Sequence, residues 1–230
     1  MLAQAERLAH EPAPLPARDI TLLLVLSVVA GLVDVTGFLS LGNIFTAHIT
    51  GNLVLLAAHV ANGGSPPAAQ LWSIPVFAAA VALAWLLAHR AGPAVGAKAL
   101  LLVQSLLLFL VLGLALRGDT RGVHAGANVF APAMVAVAAM AFQNAFMRLA
   151  IHEGATTVMT GNVAGSVIAA LALAWSAPTR AEAEEKLRQT LPPVIGFFGG
   201  CVLGAATLAQ VGPWAWMLPA LLSLFAISRR

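Results

Sequence analysis

Between residues 20 and 228 the chain is a series of long apolar runs separated by short polar connections, at about 20–41, 45–61, 71–89, 98–116, 129–149, 155–175, 192–210 and 213–228. A helix needs roughly 20 residues to cross about 30 Å of hydrocarbon. Inside that layer a helix is the one open segment that satisfies its own backbone groups. The runs therefore predict an all-α, polytopic transmembrane bundle of about eight helical segments. Those at 45–61 and 213–228 are short for a full crossing, and six full spans is the alternative count. Charge content excludes a soluble domain: 9% of the residues are charged, against about 25% in a chain that must cover itself for water.

The charges that remain fall in the connections and carry topology. With eight spans and the N-terminus inside, Arg7, Arg18, Arg117, Arg121, Arg180, Lys186, Arg188, Arg229 and Arg230 gather on the inner side. Arg90, Lys98 and Arg148 fall outside. This excess of inner cations predicts cytoplasmic termini. No basic cluster is interleaved with exposed aromatics, so nucleic acid is not an expected partner. Cys201 is the only cysteine, which excludes an internal disulfide, and its setting in "GGCVLG" reads as packing filler.

Residues 1–19, with Pro12, Pro14 and Pro16, read as a mobile tail rather than a secretory signal. Residues 117–128 read as a loop connecting two membrane portions, 20–116 and 129–230. Within the second portion, Thr179 and Glu182 form a capping box that opens a surface helix near 179–190. Trp72, Trp175, Trp214 and Trp216 sit at run ends, as interfacial anchors do. Pro75, Pro193 and Pro213 are expected in first turns, and Pro219 should kink the last run.

The triplet Thr-Gly-Asn occurs twice, at Thr50–Asn52 and Thr160–Asn162. Sliding the sequence by 110 superposes these triplets and also pairs Asp34 with Asn144 and Thr46 with Thr156. Pro75 and Pro193 match at a slightly different offset. The pattern predicts two related four-segment halves, parallel and related by an axis along the membrane normal. Gly161 with Gly165, and Gly196, Gly200 and Gly204, are small-residue steps that let helices approach closely in lipid.

One stretch, "GLVDVTGFLSLGNIFTAHITGN", together with the second "MTGN", resembles the YoaK family of bacterial membrane proteins. The resemblance rests on Gly31 with Asp34, on Gly37-Phe38-Leu39, and on Thr50-Gly51-Asn52. It implies a polytopic helical protein of the bacterial inner membrane, and supplies no substrate or reaction.

Function is read from polar groups stranded in oil. An acid in a span costs about 2.5–3.5 kcal/mol on insertion scales and by default marks function. Asp34 must therefore face the bundle interior, pair, or carry a proton, with His48 and Arg148 as candidate cations. Its two readings are a proton- or cation-coupling carboxylate and a structural acid bonded to a neighbouring helix end. His48 and Asn52 share a face at i,i+4, whereas Val158 stands where a second histidine would. Arg148, His152 and Glu153 read as solvated charges at a helix end, short of a metal site.

The candidate binding or coupling set is Asp34, His48, Thr50, Asn52, Gln143, Asn144, Thr160 and Asn162, lining a polar site between the halves. The expectation is a small-molecule transporter with Asp34 as its protonatable element. A non-transporting scaffold or sensor, whose polar face binds a helix or a lipid, is the runner-up. No nucleophile–base motif, phosphate loop or zinc pattern points to an enzyme, and no cofactor is expected. Expected partners are the bilayer, a small molecule and, as an open option, further copies of the chain.

Overall fold

The structure, a computed structural model, describes residues 19–118, 129–151, 159–175 and 180–229. Among these, α1 (Ile20–Ser40), α2 (Ile49–Ala61), α3 (Ala68–Ala91), α4 (Pro93–Arg117), α5 (Phe130–Ala150), α6 (Met159–Trp175), α7 (Arg180–Val211) and α8 (Met217–Ser228) follow in order. A 3-10 turn, Gly212–Trp216, joins α7 to α8. The chain is an all-α membrane bundle. Helices α1, α3, α4 and α5, and the stretch 180–228, are each long and apolar enough to cross a bilayer. The N-terminal tail, most of the 117–128 connection and Thr179 lie outside the described residues.

Two helices form the centre. The apolar span of α1 is 67% buried and that of α5 is 78% buried, against 17% for α3. α1 packs most extensively on α7 and α5 packs on α4 and α3, while α2 lies along α3 and α6 along α7. The outer helices present large side chains such as Val54, Leu83, Ile168 and Phe198 to their surroundings. So much exposed apolar surface suits lipid and not water.

The contact between α1 and α7 is made backbone to backbone. A Cβ on Gly31 would overlap the carbonyl oxygen of Phe197, and one on Gly200 would overlap that of Val28. One on Gly196 would sit 2.9 Å from the Leu24 carbonyl oxygen. Close approach of this kind is what holds helices together in lipid, where burying apolar surface between them gains little. Asp19 caps α1, accepting from the amides of Thr21 at 3.0 Å and Leu22 at 3.2 Å. Its other oxygen meets Arg229 Nε at 3.5 Å, which sets the start of α1 beside the end of α8.

Four details differ from the sequence reading. The expected surface helix near 179–190 and the run at 192–210 are one helix, α7, with Pro192 and Pro193 inside it. Those prolines free the carbonyls of Arg188 and Gln189; Arg188 is exposed and Gln189 half-buried, so water can satisfy them. Pro75 lies two turns inside α3 rather than at its start. Pro219 sits in the first turn of α8, because the predicted kink is resolved by the 3-10 corner just before it. Trp216 is fully buried in the core and is no interfacial anchor.

The glycine contact gives a direct test. Gly200→Ala should destabilise the bundle by about 1–3 kcal/mol, since overlapping backbone can be relieved only by parting the helices. Gly199→Ala, one residue away with nothing within 4 Å of its Cβ position, should be neutral or stabilising, because alanine is the better helix former. Thermal unfolding of the two variants in detergent separates these outcomes.

Candidate functional site

Thr50–Asn52 lies in the first turn of α2 and marks a helix start rather than a mid-helix crossing, while Thr160–Asn162 lies among the first described residues of α6. In the first half the reason is visible. After α1 ends at Ser40, the chain turns through Gly42 (φ +82°) and Asn43 (φ +56°) and comes back alongside α1.

Asp34, buried to 3% exposure, receives that returning strand. Its Oδ1 accepts the amides of Thr46 and Ala47, both at 2.7 Å, and the Thr46 hydroxyl at 3.1 Å. Asp34 precedes the end of α1 by six residues, about 9 Å of helix rise. The loop is thus carried to that depth before α2 begins, and the 13 residues of α2 need cover only the remaining ~20 Å. This explains why the second run is short.

Asn52 fixes the loop from the other side. Its Oδ1 accepts the Phe45 amide at 2.9 Å, while its Nδ2 donates to the Phe45 carbonyl at 2.7 Å and to Ser73 Oγ at 3.1 Å. Ser73 in turn donates to the Gln70 carbonyl at 2.7 Å, and Gln70 Nε2 reaches the Asn43 carbonyl at 3.3 Å. The loop is thereby tied to α3 as well as to α1. Gln70 and Ser73 escaped the sequence reading, although two amide- or hydroxyl-bearing residues in an apolar run were the available signal.

The second oxygen of Asp34 has a different partner. Oδ2 lies 2.5 Å from His48 Nδ1. The imidazole is about one-third exposed and packs edge-on against Phe197 with ring centroids 5.1 Å apart. Of the two candidate cations, His48 is therefore the partner, and Arg148 is exposed at the end of α5.

A cavity of about 570 Å³ opens beside this pair. α1 contributes Asp34, Val35 and Phe38; the loop and α2 contribute Phe45, His48, Thr50, Gly51 and Val54; α7 contributes Phe197 and Cys201. Its wall is mainly apolar, and such pockets with a few placed polar groups are the usual form of small-molecule sites. The aromatic and aliphatic members carried no signal in a sequence already rich in both. Cys201 is also part of this cavity wall.

The eight sequence-derived residues are not gathered into one chamber. Asp34, His48 and Thr50 line the cavity, and Asn52 lies fully buried behind the wall. Gln143 is fully buried among helices: it accepts from Gln104 Nε2 at 2.7 Å and donates to the Leu26 carbonyl at 2.8 Å, joining α4, α5 and α1. Asn144 donates to the Met140 carbonyl at 3.3 Å. Thr160 is exposed and Asn162 half-buried at the start of α6, and neither is part of the cavity wall. His152, Glu153, Thr156 and Val158 lie outside the described residues.

The loop clamp is testable through Asn52. Asn52→Ala should cost about 1–3 kcal/mol, because it removes the partner of the half-buried Phe45 amide and carbonyl and of the buried Ser73 hydroxyl. Alanine also improves the intrinsic helix propensity of α2, so a fall in stability isolates the lost clamp. Hydrogen exchange at the Phe45 amide should accelerate in this variant, and an unchanged rate would reject the clamp.

Comparison with known proteins agrees with this architecture. A 36-residue segment is 64% identical to "UPF0700 transmembrane protein YoaK" of Bacillus subtilis (strain 168), covering 16% of each chain. The match thus spans a small part of that relative's length. No solved structure matches the chain. The family model described as "Protein of unknown function (DUF1275)" matches residues 22–228, and over that extent, nearly all of it, the chain belongs to this family of multi-pass membrane proteins.

Proposed function

We propose that the chain is a small-molecule transporter of the bacterial inner membrane, with Asp34 and His48 as its proton-exchanging pair and with both termini cytoplasmic. The observation that carries this reading is the division of Asp34: Oδ1 is occupied by the loop, while Oδ2 meets a part-exposed imidazole on the wall of a cavity. A carboxylate–imidazole pair at membrane depth can hold or release a proton without dismantling its surroundings. Intramembrane acids placed this way serve proton relays and substrate pathways.

The helix pairings support two repeated halves, α1–α4 and α5–α8. Under exchange of the halves, α1 on α7 becomes α5 on α3, and α2 on α3 becomes α6 on α7; both members of each exchange occur. The central helices α1 and α5 are exchanged too, as are the short helices that carry Thr-Gly-Asn. The cavity has walls from α1 and α2 of one half and α7 of the other, which is where repeat-built transporters bind substrate. Cys201 lines the cavity but makes no hydrogen bond to His48 among the described residues, which favours a proton carrier over the base of a thiol enzyme.

A second reading, a non-transporting scaffold or sensor, draws on the Asn52 and Asp34 Oδ1 bonds, all of which serve loop structure. Gradient-driven uptake of a metabolite panel into proteoliposomes separates the two. His48→Gln leaves the Asp34 Oδ1 bonds in place and should cut proton-coupled uptake about a hundredfold or more, the range for losing a general acid–base group. Asp34→Asn should abolish the pH dependence. Uptake that is absent in the parent chain, or unchanged and pH-independent in both variants, would overturn the transport reading.

A further inference from the structure

We infer that the cavity between α1, α2 and α7 selects amphipathic monocations, an ammonium group carried on an apolar or aromatic body, and that such a ligand and a proton exclude one another there. The inference rests on the transport reading of the same cavity and names its substrate class.

Charge comes first. Among the described residues, the titratable groups lining the cavity from every packed element are Asp34 on α1, His48 on the loop and Cys201 on α7, and neither lysine nor arginine is among them. With the imidazole neutral, the site carries the single negative charge of Asp34. An anionic ligand would be desolvated against that carboxylate with no cation to receive it.

The rings agree with the charge. Phe38 and Phe45 stack with centroids 4.9 Å apart, and Phe197 lies against His48. The faces of such rings attract cations, more strongly where water is excluded, and their bodies accept an apolar ligand tail. A volume of about 570 Å³ is that of a drug-sized site.

Hydrogen bonding completes the argument. His48 gives Nδ1 to Asp34, and its Nε2 makes no hydrogen bond among the described residues. With the Nδ1 proton directed at Asp34, Nε2 is an acceptor for a ligand N–H, and the exposed Thr50 hydroxyl is a second acceptor in the wall. When Nε2 gains a proton from water, the same atom becomes a donor and the pair becomes neutral overall. An ammonium then loses both its acceptor and its electrostatic partner. Ligand entry requires that the Nε2–H bond break and its proton return to water, so cation binding should strengthen as pH rises.

Cys201 is the chain's only thiol and lines this cavity, so its alkylation by a maleimide reports occupancy in the full-length protein without an engineered label. The probes are 4-phenylbutylammonium and 5-phenylpentanoate, which carry the same phenylbutyl body under opposite charges. Rates with and without each probe are compared at the same pH, which removes the thiol's own titration from the ratio. At a pH high enough to leave the imidazole neutral, the ammonium should slow labelling about fivefold and the carboxylate should not, with protection fading as the pH is lowered and the imidazole protonates.

Asp34→Asn should erase the discrimination. Because that variant also disturbs the loop, V54K is the second test: Val54 is 69% exposed on the cavity wall and holds none of the buried network. V54K should abolish protection by the ammonium and admit the carboxylate. Equal protection by both probes, protection by the carboxylate alone, or protection by neither overturns the proposed class. Ammonium-selective protection without uptake in proteoliposomes would uphold the class and remove transport; uptake without such selectivity would do the reverse.

Discussion

A stretch of non-helical backbone carried to membrane depth must find partners for its amides and carbonyls within the protein, since lipid offers none. The loop at 41–48 is such a stretch, and most of the first half is arranged around it. Asp34 takes the amides of Thr46 and Ala47, and Asn52 takes both backbone groups of Phe45. A charged acceptor suits this place because it bonds amides more strongly than a neutral oxygen does. The cost of burying the charge is met by three donors on one oxygen and an imidazole on the other.

Seen from that loop, "GLVDVTGFLSLGNIFTAHITGN" is one mechanical unit. Gly31 admits α7 against α1, and Asp34, one turn on along an adjoining face, holds the returning loop. Gly37 leaves room for Thr46, whose Cγ2 would stand 2.9 Å from a Cβ there, and Gly51 does the same for the Phe45 ring at 2.8 Å. Each of these glycines sits where a neighbouring backbone or side chain comes too close for a Cβ. The cavity follows from this construction: α2 is held off α1 by the loop, and the space between them is closed by Phe197 and Cys201 of α7.

How much of this the sequence disclosed depended on whether a residue stood out from its background. The helices were legible because apolar runs are long and charges rare, and the bounds of α1, α5 and α6 fall within a few residues of their runs. Asp34, His48 and Asn52 were legible because polar side chains in such runs need an explanation. What they do was less so: Asn52 was read as a cavity residue and instead faces the loop, since one sequence does not tell a ligand from a backbone partner. Gln143 was misplaced for the same reason, its amide bonding Gln104 and the Leu26 carbonyl. Phe38, Phe45 and Phe197 were invisible, because an aromatic wall looks the same as lipid-facing packing until the helices are placed. The join of the surface helix to α7 was hidden by Pro192 and Pro193, which break a buried helix but are tolerated where water reaches the freed carbonyls.

On the proposed reading, the two oxygens of Asp34 separate structure from chemistry, and the same separation distinguishes the two halves. An amide at the matching position, Asn144, has one oxygen with which to accept and no charge. It can do the work of Oδ1, but it cannot balance an imidazolium, and Val158 rather than a histidine stands at the place of His48. A frame of repeated helices then carries its titrating pair on one side only. Alternation driven by one proton site needs only one such pair, provided the other half moves against it as a body, and the close glycine contact between α1 and α7 is where the two halves meet. The chemistry of the cavity and the closeness of that contact are on this view two consequences of the same helix, in which Gly31 and Asp34, three residues apart, lie on adjoining faces.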